Sequence, residues 1–89
     1  MDKLLLNPIR LKIVSTLISV AKCDFNHLLK VTESTKGNLS VQLKKLEQNK
    51  YININKSFKN NYSNTSCTIT KHGSDKFEEF VKLIISLQK

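Results

Sequence analysis

The run from Thr35 to Ile52, Thr-Lys-Gly-Asn-Leu-Ser-Val-Gln-Leu-Lys-Lys-Leu-Glu-Gln-Asn-Lys-Tyr-Ile, constrains the fold of this chain more than any other feature. It opens on a threonine, whose hydroxyl can accept from a free N–H at the start of a helix. Leu39, Leu43 and Leu46 then recur at i, i+4 and i+7, the spacing of one helical face, so that face must pack on a core. The opposite face carries Lys36, Ser40, Val41, Lys44 and Lys45, all small, polar or basic. The spacing predicts a helix from Thr35 to about Asn49 that is apolar behind and basic in front.

The distribution of charge gives that basic face a meaning. Fourteen Lys and one Arg stand against seven acids, for a net charge of +8. Eleven of the bases and four of the acids precede Lys71, so an excess of +7 lies there and only +1 beyond it. Such an excess favours a polyanionic partner, either nucleic acid or an anionic membrane surface. A helix apolar behind and basic in front suits the major groove of duplex DNA, as the recognition helix of a helix-turn-helix. On that reading Thr35, Lys36 and Gly37 stand at the helix N-terminus, where backbone N–H groups and the dipole favour a phosphate. Ser40, Val41 and Gln42 are placed to meet base edges, with Gln42 suited to adenine and Val41 to a thymine methyl. Lys44 and Lys45 are expected on phosphates. Asn38, on the flank, meets either a base or a hydrogen-bond partner on the preceding helix. The plainer reading of the same lysines is a solvated face with no specific partner.

Hydrophobic residues at 39% and charged residues at 25% lie in the ordinary globular range. Eighty-nine residues are expected to form one domain, 1–89, that buries only about 60% of its unfolded surface and gains from oligomerisation. Asn7-Pro8 announces a first helix, by a capping side chain and a proline in the first turn. Ile9, Ile13, Leu17 and Val20 form one apolar stripe along it and Leu11, Val14 and Ile18 another, so cover is expected on two sides. Lys22-Cys23-Asp24-Phe25 reads as a short edge strand. Asp24 or Asn26 caps a second helix to about Val31, and Thr32-Glu33-Ser34 reads as a polar turn.

Tyr51 to Asn55 alternates at period two and Ser66 to Ile69 is a second strand candidate, joined by a polar tip from Lys56 to Thr65. That hairpin would be a wing. Thr70 caps a last helix over 71–88, with Asp75, Glu78 and Glu79 toward its positive end. The expected architecture is mainly α with a small β-hairpin, in the order helix, strand, helix, helix, strand, wing, strand, helix.

These residues resemble a known family. Asn7-Pro-Ile-Arg-Leu-Lys-Ile-Val, Asp24-Phe25, the Gly-Asn-Leu-Ser-Val-Gln-Leu-Lys-Lys-Leu-Glu run from Gly37, Tyr51-Ile52, Lys56-Ser-Phe58 and Thr70-Lys-His-Gly73 look like small prokaryotic winged-helix transcriptional regulators of the MarR and ArsR types. The resemblance spans about Asn7 to Leu87. It implies a winged helix-turn-helix, dimerisation through terminal helices and regulation of transcription on double-stranded DNA. The wing tip departs from the pattern: where relatives often carry arginine, this chain has, after Lys56, the residues Lys59, Asn60, Asn61, Tyr62 and Asn64. Those residues are expected on the DNA backbone or in the minor groove, where Asn can bond phosphates or the acceptor edge of A·T pairs.

The last helix carries Phe77, Phe80, Val81, Ile84 and Leu87 as a stripe wider than one small core needs, and Leu4, Leu5 and Leu6 add further apolar surface. A two-fold homodimer is expected to bury them. Two other function classes are weighed. A metal-sensing repressor would use Cys23, His27, Cys67 and His72, but these lack the clustered pairs of a zinc site, and buried cysteines more often serve as small hydrophobes. A winged helix reused as a protein-interaction module would tolerate neutralisation of the third-helix lysines, whereas a DNA-binding surface would not. No phosphate-binding loop, nucleophile motif or paired carboxylates point to an enzyme, and no motif asks for a cofactor or identifies a small-molecule effector. No apolar run has the length of a membrane span, the N-terminus is too short for a signal peptide, and two isolated cysteines suit a reducing compartment, so a cytoplasmic location is expected.

Overall fold

Each helix starts on a side chain supplied by the residue before it. The structure is a computed structural model that describes residues 2–59 and 62–88, without the side chains of 59 and 62. Its elements are α1 (Pro8–Val20), β1 (Lys22–Asp24), α2 (Phe25–Thr32), α3 (Lys36–Gln48), β2 (Ile52–Lys59), β3 (Tyr62–Ile69) and α4 (Lys71–Ser86), in the order the sequence predicts. Asn7 Oδ1 accepts from Ile9 N–H at 2.9 Å and from Arg10 N–H at 3.1 Å, and Pro8 fills the first turn, where no donor is needed. Asp24, rather than Asn26, caps α2 by accepting from His27 N–H at 2.8 Å. Thr35 accepts from Asn38 N–H at 3.1 Å, and Thr70 from Gly73 N–H at 2.9 Å. Each such cap stabilises its helix by about 1 kcal/mol.

The three strands form one antiparallel sheet in the order β1-β3-β2. Here the strands outrun the sequence expectation. β2 and β3 stay in register from Ile52 opposite Ile69 out to Lys59 opposite Tyr62, so most of the expected tip, Lys56 to Thr65, is paired strand. The polar composition of those residues marks a solvated ladder. Asn55 to Phe58, Ser63 and Asn64 are exposed because the outer half of the hairpin stands clear of the core. Asn60 and Asn61, expected at the wing tip, lie outside the described residues, as do the side chains of Lys59 and Tyr62.

Leu5, Ile13, Val14, Leu17, Leu28, Leu39, Leu43, Leu46, Ile52, Cys67 and Phe80 meet in one core. Of the surface expected to remain for a dimer, Leu5 and Phe80 are therefore already used: they are 0% and 8% exposed in the single chain. Leu4, Phe77 and Ile84 pack partly against the same core, and Val81 is half-buried. Leu6 and Leu87 remain exposed, joined by Ile18, Val20, Leu83 and Ile85.

Two local expectations shift. Thr32 ends α2 rather than opening a turn, because its buried hydroxyl donates to Leu28 O at 2.8 Å and the chain reverses one residue later at Glu33, φ 53°. The first turn of α4 holds no acid, and Asp75 instead meets Lys71 at 3.5 Å on the surface, a contact worth little.

Thr70 and Gly73 dock α4 onto the α3–β2 junction. The Thr70 hydroxyl lies 2.7 Å from Lys50 O and 2.9 Å from Tyr51 O, and Thr70 N–H donates to Tyr51 O at 3.1 Å. Tyr51 is buried, its hydroxyl donates to Asp2, and its ring meets His72 edge-on. Burial first, and then the Asp2 contact, push its phenol well above the usual range.

Candidate nucleic-acid interface

The leucines of α3 fix which of its side chains can reach a partner. With Leu39, Leu43 and Leu46 at 0–2% exposure, Lys36, Gly37, Asn38, Ser40, Val41, Lys44 and Lys45 stand in solvent. Val41 is 51% exposed, which leaves its methyl groups free for contact with a thymine methyl. At the N-terminus Thr35 occupies the Asn38 donor, which leaves the N–H groups of Lys36 and Gly37 without an intrahelical acceptor. A Cβ at Gly37 would meet nothing within 4 Å, so no packing inside the chain requires glycine there.

A groove of about 570 Å³ separates α3 from the hairpin. Its walls are Phe25, Ser40, Leu43, Lys44 and Glu47 on one side and Ile54, Lys56 and Thr65 on the other. The fold thus brings Ser40 and Lys44 of α3 beside Lys56 of β2, far apart in sequence and together in space. Glu47 enters the same groove and subtracts from its positive charge. Asn64, opposite Ser57 further along the hairpin, is exposed.

Gln42 departs from the expectation of a free base-reading side chain. It is 8% exposed and both ends of its amide are engaged: Oε1 accepts from Arg10 Nη1, and Nε2 donates to Asn38 Oδ1 at 3.0 Å. Arg10, the single arginine, also donates from Nε to Leu4 O at 2.7 Å, so it ties the N-terminal segment and α1 to α3. Asn38 is accordingly bonded within its own helix rather than to α2. Arg10 escaped sequence reasoning because its partner lies 32 residues away; the one available signal was a lone arginine in a chain of lysines.

The cysteines face each other. Cys23 and Cys67 are paired across β1 and β3, and both are buried free thiols. Burial first, then the neighbouring Cys23 and Glu47, push the Cys67 thiol up to about 11; burial and Asp24 raise Cys23. A metal ligand must be a thiolate, so this environment opposes the role. His27 is exposed on α2 and His72 is engaged with Tyr51. Among the described residues no three His, Cys, Asp or Glu side chains converge as a metal ion would need, and no helix is long and apolar enough to cross a membrane.

A sequence profile of the winged helix DNA-binding domain matches residues 9–87. An uncharacterized protein of Methanocaldococcus jannaschii is 33% identical over 81 residues, which cover 91% of this chain and 88% of that relative. The solved structure of a transcriptional regulator homologue from Pyrococcus horikoshii OT3 matches with a TM-score of 0.89 at 28% identity, over 97% of this chain and 85% of the other. A mutant MarR from E. coli complexed with operator DNA shares the fold with a TM-score of 0.69 at 18% identity, over 93% of this chain and 64% of that one. The chain belongs to the winged helix DNA-binding domain family, and it shares its fold with solved transcriptional regulators.

Proposed function

We propose that this protein is a dimeric transcriptional regulator that binds specific sequences of double-stranded DNA, with α3 in the major groove and the hairpin on the backbone or in the minor groove. One observation carries the reading: Ser40 and Lys44 of α3 share a groove with Lys56 of the hairpin, while the leucines of α3 are consumed by the core. Lys36, Lys44, Lys45, Lys56 and Lys59 serve phosphates, and the charge excess before Lys71 supplies the attraction. Ser40 and Val41 meet base edges. Asn60, Asn61, Tyr62 and Asn64 extend the contact along the wing. A MarR protein with the same fold is known in complex with operator DNA, which supports duplex DNA as the partner. Such a protein works in the cytoplasm.

The homodimer rests on what the core leaves uncovered. Leu83, Ile85 and Leu87 are 37%, 54% and 65% exposed along α4, beside an apolar depression of about 280 Å³ between α1 and α4. Pairing two chains through α4, with Leu6 and the edges of Phe77, Val81 and Ile84, covers that surface. It sets two recognition helices about 34 Å apart, one turn of DNA.

The test is a salt titration of binding to duplexes selected from a random pool. Log affinity is expected to fall linearly with log salt, with a slope of about −0.9 per phosphate contacted. Replacing Lys44 and Lys45 together by Ala should weaken binding to all duplexes alike and flatten the slope by about 2. Affinity indifferent to salt, or unchanged by the double substitution in a folded protein, would move the protein to the interaction-module class.

A further inference from the structure

Arg10 can only donate hydrogen bonds, and that fact propagates outward. A guanidinium carries five N–H groups and no acceptor, so the Gln42 amide must turn its oxygen to Arg10. Its nitrogen then points the other way and donates to Asn38 at 3.0 Å, which forces the Asn38 amide to present Oδ1 inward. The remaining Asn38 group, the Nδ2 amide with two N–H donors, has no intramolecular acceptor among the described residues. Asn38 itself is exposed, in the first turn of α3. An asparagine side chain is normally free to flip and to read either donors or acceptors; this one is not.

We propose that Arg10 and Gln42 are positioning residues that lock Asn38 with its NH₂ outward, and that Asn38 thereby selects guanine in the major groove. Guanine offers two adjacent acceptors there, O6 and N7, and no donor beside them, so the N–H turned away from Oδ1 meets an acceptor at either atom. Adenine sets its own N6 donor beside N7, cytosine offers a donor, and thymine pairs one acceptor with a methyl group. The inference rests on the DNA-binding reading above, and it assigns Gln42 a role opposite to the direct adenine contact that its position in the sequence suggests. Specificity at one base then depends on a buried side chain that never touches DNA.

Gln42→Glu isolates the effect. A glutamate keeps an acceptor for Arg10 but loses the donor to Asn38, so the Asn38 amide turns over to donate to it and presents Oδ1 outward. Pools of randomised duplexes selected with wild type, Gln42→Glu and Asn38→Ala would be sequenced. Wild type should enrich guanine at one position of each half-site, and replacing that guanine by 7-deazaguanine should cost roughly tenfold in affinity, the order of a lost base contact. Gln42→Glu should exchange that guanine for a donor-bearing base, cytosine or adenine, and leave other positions unchanged. Asn38→Ala should lose preference there alone.

In parallel, proton exchange of the side-chain amides would be followed by NMR without DNA. The Gln42 NH₂ should exchange more slowly than that of exposed Gln48, and Arg10→Ala should abolish the difference. The assignment is overturned if Gln42→Glu enriches the same base as wild type. It is equally overturned if Asn38→Ala weakens all duplexes without altering preference, which marks a phosphate contact. Fast Gln42 exchange refutes the relay whatever the DNA result. A slow Gln42 amide with no enrichment by wild type refutes the DNA reading instead, and the guanine assignment falls with it.

Discussion

Replacing Gly73 by alanine should destabilise this protein, although alanine is the better helix former. A Cβ at Gly73 would stand 2.1 Å from Tyr51 O, 2.9 Å from its carbonyl carbon and 3.0 Å from its Cα. Non-bonded carbon atoms rest at roughly 3.5–4.0 Å, and all three neighbours are backbone, so no rotamer change relieves the overlap. The first turn of α4 must lift from Tyr51 by roughly 1 Å, which stretches the three bonds that Thr70 makes to Lys50 O and Tyr51 O. Overpacking of this kind costs about 1–3 kcal/mol, and one weakened hydrogen bond adds about 1 kcal/mol. The helix propensity of alanine offsets at most about 1 kcal/mol. With that offset taken in full the net loss is about 1–3 kcal/mol, which should lower the urea midpoint by about 1–2 M for a chain of this size.

Gly37→Ala is the control. Gly37 also lies in the first turn of a helix, neither glycine has a positive φ, and nothing lies within 4 Å of the added methyl group. That variant should be as stable as wild type or gain up to about 1 kcal/mol. Midpoints would be compared at one protein concentration, since the proposed dimerisation would contribute to stability. If Gly73→Ala unfolds at or above the wild-type midpoint, or if both variants lose stability equally, the close approach of α4 to Tyr51 is not what requires glycine.

Two further outcomes are expected. Replacing Ile85 and Leu87 by Lys spares the core, since both side chains are exposed, and should convert a sedimenting dimer to monomer and weaken binding to a two-half-site duplex; wild type at monomer mass across micromolar concentrations would refute the dimer. Cys67 holds its proton more tightly in the folded chain, at about 11 against an ordinary 9.0, so its contribution to stability is complete below pH 9 and is lost as pH rises through 11. Across that window the urea midpoint should fall less in a Cys67→Ala variant than in wild type, and parallel falls would contradict the buried thiol.

The parts of this protein legible in its sequence are those decided within a few residues. Asn7-Pro8, Thr35 and Thr70 start helices because a cap acts on N–H groups two or three positions ahead, and Leu39, Leu43 and Leu46 mark an inward face through helical period alone. From these came the order of elements and the exposed face of α3. What needed the tertiary structure depends on partners far along the chain. The ladder reaches Lys59 because strand length is set by cross-strand pairing, which polar residues in solvent do not betray. Leu5 and Leu6 are identical in type, yet only Leu5 enters the core, and Phe80 is buried while Leu87 is not. Gln42 looked like a base reader because its residue type suits adenine; Arg10, on another helix, draws it inward and leaves Asn38 on the surface. Local geometry repeats along a sequence and can be read from it, whereas burial and hydrogen-bond direction at a site belong to whichever distant residue the fold brings there.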